Sequence, residues 1–199
     1  MTYPNNEIEN NLILKGFKYI AGIDEAGRGP LAGPVVSAAV ILPNNFYHEL
    51  LNDSKKVSKK NRNILFEYIN KNALAIGIGI IDNNIIDEIN ILEATKLSMT
   101  KAINDLKIKP DYIITDFVKL DFNNLSAYKK GDSLSISIAA ASIIAKVLRD
   151  KIMDDYDKLY PLYDFSNNKG YGTKKHLEAL NLYGPTKIHR LTFNYKNKK

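Results

Sequence analysis

The feature that most constrains the fold is the run Val35-Val36-Ser37-Ala38-Ala39-Val40-Ile41-Leu42, which directly follows a glycine-rich loop. A strand with one face in water alternates apolar and polar side chains, and this run does not. It reads as a strand covered on both faces, which places it in a sheet flanked by helices. Upstream, Lys18 to Asp24 (KYIAGID) reads as a strand that runs into the loop Gly27 to Gly33. Ala73 to Ile81 is a third strand, whose Gly77 and Gly79 mark close packing or a nearby backbone. Tyr112 to Asp116 is a fourth.

Ser58 is the candidate N-cap of a helix through about Lys71, with Ile64, Leu65, Tyr68 and Ile69 on its inner face. From Asn84 to Leu106 the apolar residues Ile85, Ile89, Leu92, Leu97 and Ile103 recur near helical spacing, and Pro110 forbids continuation. Ser135 to about Met153 predicts a helix whose Ala-rich first half allows tight docking on a sheet. The expected class is α/β, with a central mixed sheet flanked by helices and a small helical C-terminal part. No repeat or Pro/Gly/Ser linker divides the chain. The expectation is one catalytic domain over 1–199, with 156–199 as a substrate-contacting extension and a monomeric state.

The net charge of +6 suits a polyanionic partner such as nucleic acid, and equally suits a merely lysine-rich surface. The absence of cysteine excludes disulfides, thiolate metal sites and a cysteine nucleophile. No secretory pattern opens the chain and no apolar run is long enough to cross a bilayer. A soluble cytoplasmic protein without membrane contact is the expectation.

Asp24 and Glu25 are neighbours at the end of a buried strand. Side chains alternate across a strand, so both can serve one site only if the backbone turns there. Asp116 ends another apolar strand, and Asp132, within Lys129-Lys130-Gly131-Asp132-Ser133, precedes the Ala-rich helix. Asp150 competes for the fourth place, although Lys146 one turn earlier explains it as a surface ion pair. Three or four converging carboxylates supply the oxygen ligands that magnesium and manganese take. Two such ions roughly 4 Å apart support phosphodiester cleavage. A solvated loop end is the plain alternative for any single acid, and for Asp132 a helix cap with Ser133 as rival. Two adjacent like charges at a buried strand end are costly without a cation.

The loop Gly27-Arg28-Gly29-Pro30-Leu31-Ala32-Gly33 lacks the Lys-Ser/Thr ending of a Walker loop. Pro30 and Pro34 also argue against the helix that a dinucleotide fold opens there. Its glycines let backbone approach a sugar–phosphate while Arg28 presents donors, with a tight turn as the alternative. Asp53-Ser54-Lys55-Lys56 offers donors suited to phosphate, or simply caps a helix. Tyr171, between Gly170 and Gly172 and beside Lys174, Lys175 and His176, could stack on a sugar or base, or merely pack. His189-Arg190 with Phe193 forms a second basic–aromatic cluster with the same two readings. The lysine-rich tail Tyr195 to Lys199 could add nonspecific duplex affinity.

The run Ile23 to Val35 (IDEAGRGPLAGPV) resembles the signature of type 2 ribonuclease H, ribonuclease HII. Asp53 to Lys56, Ile138 to Asp150 (IAAASIIAKVLRD) and Gly170-Tyr171-Gly172-Thr173 with His176 match further family segments in order, across nearly the whole chain. The resemblance implies a ribonuclease H-like fold and cleavage of RNA–DNA hybrids and of ribonucleotide-containing duplex DNA. It implies Asp24, Glu25, Asp116 and Asp132 as the carboxylates holding two magnesium or manganese ions, which selects Asp132 over Asp150. By the same resemblance Gly27, Arg28 and Gly29 sense the 2′-hydroxyl, Tyr171 stacks on the sugar at the junction, and Ser54 with Lys55 holds phosphate. The chain departs from the family at Phe117, where a small residue is usual. Two rivals stay open: a DNA-junction nuclease or recombinase of the same superfold, and a non-catalytic nucleic-acid-binding module.

Overall fold

A computed structural model describes residues 3–55 and 57–194; Lys56 and the tail Tyr195 to Lys199 lie outside the described residues. In chain order the elements are α1 (Glu7–Leu14), β1 (Ile20–Ala26), β2 (Val35–Ile41), α2 (Lys59–Asn72), β3 (Ala75–Ile81) and α3 (Asn83–Asp105). There follow β4 (Tyr112–Asp116), β5 (Leu125–Tyr128), a 3-10 turn (Gly131–Ser133) and α4 (Ile136–Leu159). A second 3-10 turn (Pro161–Tyr163), α5 (Phe165–Asn168) and α6 (Lys174–Tyr183) complete the small C-terminal part. The five strands form one mixed sheet in the order β3-β2-β1-β4-β5. β2 pairs antiparallel with β1 and β3, whereas β1–β4 and β4–β5 are parallel.

All seven residues of β2 are buried, as its unbroken apolar run requires. Ala38 and Val40 face a core with Leu65 and Ile69 of α2 and the alanines of α4. Ala39 faces the opposite core with Met99, Ala102 and Ile103 of α3. Burial on both sides therefore places the sheet between helical layers, and apolar area removed from water is the main force holding them. Gly77 and Gly79 are where α3 presses closest. A methyl group on either would stand 2.1 Å from the Ala102 carbonyl oxygen or 1.8 Å from that of Ser98, so any side chain would push the helix off.

Several expectations need correcting. The β1 ladder with β2 continues through Glu25↔Ser37 and Ala26↔Val36, so the strand does not end at Asp24. The α3 stretch is two helical segments broken at Asn90 (φ 66°, ψ 165°), whose side chain accepts the Leu92 and Glu93 N–H groups and caps the second segment. That break resets the helical phase, and so Leu92 and Leu97 emerge on the exposed side. On α2 only Leu65 and Ile69 are buried, while Ile64 and Tyr68 are exposed. α4 runs on to Leu159. Neither α1 nor β5 was expected, because both are short and polar. α1 nonetheless anchors α4: buried Glu9 accepts from the Ser135 hydroxyl (2.5 Å) and the Ser137 N–H (3.0 Å) at the start of that helix.

Candidate active site

The parallel pairing of β1 with β4 ends at Ile23↔Thr115. Asp24 and Asp116 are each the next residue, so both acids stand where the two strands part. β1 keeps its pairing with β2 beyond this point, which carries Glu25 onward to the same opening. The result is a cleft of about 690 Å³ lined by Asp24, Glu25 and Asp116, with Arg28, Lys55 and Tyr171 among the residues around them. Both neighbouring acids thus reach one site although the strand stays regular.

Asp24 is buried, and its carboxyl is held well above the usual range by desolvation, then by the charges of Glu25 and Asp116. A hydrogen bond with Ser142 and one from the Glu25 N–H (2.8 Å) pull the other way. Glu25 is also raised by burial, although Arg28, 3.4 Å away, opposes this. Its Oε2 atom is buried without a hydrogen-bond partner. Asp116 accepts from the Gly131 N–H (2.8 Å), which ties β4 to the turn carrying Asp132.

Asp132 is buried in that turn beside the cleft, raised by desolvation and by the nearby Asp53 and Asp116 charges. It is not the cap of α4; Ser135 is, accepting from the Ile138 N–H. Lys55 links the two halves of the acid group. Burial alone would lower its ammonium, but Asp53, Asp24, Asp132 and Asp116 outweigh that and raise it. Among the described residues, no three His, Asp or Glu side chains stand together tightly enough to hold an ion as they are.

The glycine loop is braced from behind by two buried arginines. Arg149 donates to the carbonyls of Pro34, Lys169 and Ala32, and Arg190 to those of Gly27, Arg28 and Gly33. Burial lowers the two guanidinium pKa values to about 10 and about 9. Gly27 has φ +101°, and a methyl group there would lie 2.0 Å from Arg149 Nε, so only glycine is accommodated. Gly29 lies beside Tyr171: a methyl group on it would be 3.5 Å from the ring's Cε1. The cluster His189-Arg190 is buried, which overturns its reading as a nucleic-acid contact.

Ser54 is also buried, accepting from Ser142 (2.9 Å), and both line the cleft. Lys146 lines it too, paired with Asp150 at 2.7 Å in a half-buried rather than surface ion pair. Ser142, Lys146 and Arg149 were missed from the sequence. Their signal was present: polar residues at helical spacing (142, 146, 149, 150) interrupt the otherwise apolar stretch from Ile138 to Asp150. Phe117 has φ +62°, a conformation that favours glycine, which explains why a small residue is natural there. The strain is tolerated because the Phe117 N–H donates to the Tyr128 carbonyl (2.9 Å) and the ring points out to solvent.

The ribonuclease HII family model matches residues 21–196. The ribonuclease HII of Acholeplasma laidlawii is 59% identical over 193 residues, covering 97% of this chain and 96% of that protein. Among solved structures, the ribonuclease H2 of Pyrococcus horikoshii superposes with a TM-score of 0.73 at 29% identity, over 89% of this chain and 94% of that one. The ribonuclease HII of Archaeoglobus fulgidus, solved in complex with PCNA, gives 0.74 at 26% identity, over 92% and 98%. Fold and cleft together define a nucleic-acid hydrolase of the ribonuclease H class. Within that class the chain belongs to the ribonuclease HII family.

Proposed function

We propose that this chain is an endonuclease that hydrolyses the RNA strand of RNA–DNA hybrids and cuts 5′ of single ribonucleotides embedded in duplex DNA. Asp24, Glu25, Asp116 and Asp132 would hold two magnesium or manganese ions. The observation that carries this is the buried, partnerless Oε2 of Glu25 beside the desolvated Asp24. Hard divalent cations are the ligands that such an oxygen set fits. When bound, they supply charge neutralisation at the phosphate and lower the pKa of an attacking water.

The remaining chemistry belongs to the chain. Arg28 and Lys55 neutralise phosphate charge at the mouth of the cleft, with Ser54 beside them. Gly27 and Gly29 bring bare backbone to the ribose, where the 2′-hydroxyl separates RNA from DNA. Tyr171, about half exposed at the cleft edge and against Gly29, supplies a flat apolar surface for the sugar at the junction. Cleavage on this reading leaves 5′-phosphate and 3′-hydroxyl ends.

The chain would act as one catalytic unit over 1–199, with 156–199 contributing substrate contacts, as a monomer in the cytoplasm. No helix among the described residues is long and apolar enough to cross a membrane. The test is a duplex carrying one ribonucleotide, incubated with magnesium or manganese and resolved by size. A single cut 5′ of the ribonucleotide, abolished by chelator, is expected. Equal cutting of an all-DNA duplex would favour the junction-nuclease rival, and binding unaffected by chelator without any cutting would favour the binding module.

A further inference from the structure

Behind Tyr171 lie two fully buried histidines that no catalytic role uses. His176, at the start of α6, and His189, in the C-terminal segment, meet Nε2 to Nε2 at 2.9 Å. Phe165 and Tyr163 enclose both rings, with Phe165 5.2 Å from His176 and Tyr163 5.3 Å from His189 between centroids. Each outer nitrogen has a partner whose role is fixed. His189 Nδ1 is met at 2.8 Å by both the Thr186 backbone N–H and the Thr186 hydroxyl; the N–H can only donate, so Nδ1 carries no proton and the hydroxyl, free to play either role, also donates to it. The Tyr171 carbonyl can only accept, so His176 Nδ1, 2.9 Å away, is protonated.

These two ends settle the middle. A neutral His189 without a proton on Nδ1 carries it on Nε2, and a neutral His176 protonated on Nδ1 leaves Nε2 free to accept. One directed chain results: Thr186 N–H to His189, His189 Nε2–H to His176, and His176 Nδ1–H to the Tyr171 carbonyl. One more proton on either ring sets two N–H groups facing each other. The same segment also fixes the glycine loop, since His189 bridges to Ala32, the Arg190 N–H donates to the Leu31 carbonyl (2.8 Å), and the Arg190 side chain holds Gly27 and Arg28.

We propose that His176 and His189 are positioning residues that act as a neutral, tautomer-locked pair, setting the place of Tyr171 relative to the Gly27–Gly29 loop for ribose recognition. This rests on the reading of Tyr171 and that loop as the ribose-sensing elements. The rings themselves contact no substrate; they fix the backbone from which Tyr171 projects. The downward shifts of both imidazoles, caused first by burial and for His189 also by His176, agree with a pair that stays neutral.

Nitrogen-15 spectra of the full chain at neutral pH test the lock directly. His176 should show a protonated Nδ1 and a bare Nε2, and His189 the reverse; any other pattern, or a doubly protonated ring, overturns the proposal. Kinetics on the single-ribonucleotide duplex test the role. His176→Leu should raise KM about threefold to tenfold, the worth of the one hydrogen bond that holds the Tyr171 carbonyl, with kcat unchanged. His176→Asn, whose amide nitrogen can replace Nδ1 as donor to the Tyr171 carbonyl, should recover most of that loss. In a Tyr171→Ala background His176→Leu should add nothing further. Additive losses, or failure of His176→Asn to recover, reject the positioning role. A Tyr171→Ala variant with unchanged KM would instead reject the ribose reading of Tyr171 itself, whatever the histidine spectra show.

Discussion

Two charged regions meet at the glycine loop, and they are built in opposite ways. In front, Asp24, Glu25 and Asp116 line the cleft and Asp132 is buried in the turn tied to Asp116, with an orphaned oxygen on Glu25 and raised carboxyl pKa values at Asp24, Glu25 and Asp132. Behind, Arg149 and Arg190 bury positive charge, yet their side-chain donors end on main-chain carbonyls of the loop and its neighbours. The arginines are satisfied by the protein; on the acid side Glu25 Oε2 is not. A buried charge completed internally makes structure, whereas one left incomplete makes a binding site.

Breaking the acid side should give the largest change. Asp24→Asn is expected to lower cleavage of the single-ribonucleotide duplex by about a thousandfold or more while duplex binding persists. The same variant should melt higher than the parent without metal, by about 2–4 °C for each kcal/mol of repulsion relieved. The sign follows from linkage. Asp24 and Glu25 have folded-state pKa values above their unfolded ones, so the folded protein binds more protons. Their ionisation therefore costs stability as pH rises from the ordinary carboxylate range through the raised values. Full activity of Asp24→Asn would remove the metal-site assignment.

On the arginine side, Arg190→Met should destabilise the fold by about 3–5 kcal/mol in urea unfolding, because the Gly27, Arg28 and Gly33 carbonyls lose their buried donor. An effect below that of an ordinary surface substitution would contradict the contrast between the two regions. Magnesium or manganese at about a hundred times its dissociation constant should raise the parent's Tm by about 5–10 °C, and that of Asp24→Asn by much less. The smallest effect is expected at Lys55, whose charge lowers the Glu25 and Asp132 carboxyls. Lys55→Gln should move the acid limb of the pH–rate profile to higher pH; a shift to lower pH would show that Lys55 does not face this cluster.

Much of this was legible in the chain. The unbroken apolar run of β2 gave a strand covered on both faces, and Asp24, Glu25 and Asp116 were readable as acids on buried strands, although β1 runs past Asp24 and Glu25 to Ala26. Long, periodic elements declare themselves because every residue contributes to the pattern. The short ones do not: α1 and β5 exist through contacts with distant residues, Glu9 with Ser135 and Asp116 with Tyr128. The Asn90 break was hidden because one residue's φ resets a helix without altering its composition.

The sequence by itself determined the sheet's double burial, the carboxylates available to it and the glycines a close approach needs, since these follow from local pattern and residue chemistry. Tertiary structure alone decided what each charge is for. Only folding could show that Glu25 reaches the cleft from a regular strand, because pairing ends on the β4 side and continues on the β2 side. Only folding could separate Arg28 at the cleft from Arg190 buried behind it. Each is a lone arginine within a short motif of the chain, Gly27-Arg28-Gly29 and His189-Arg190-Leu191, and what marks Arg190 as structural is the set of carbonyls brought in from 150 residues or more away.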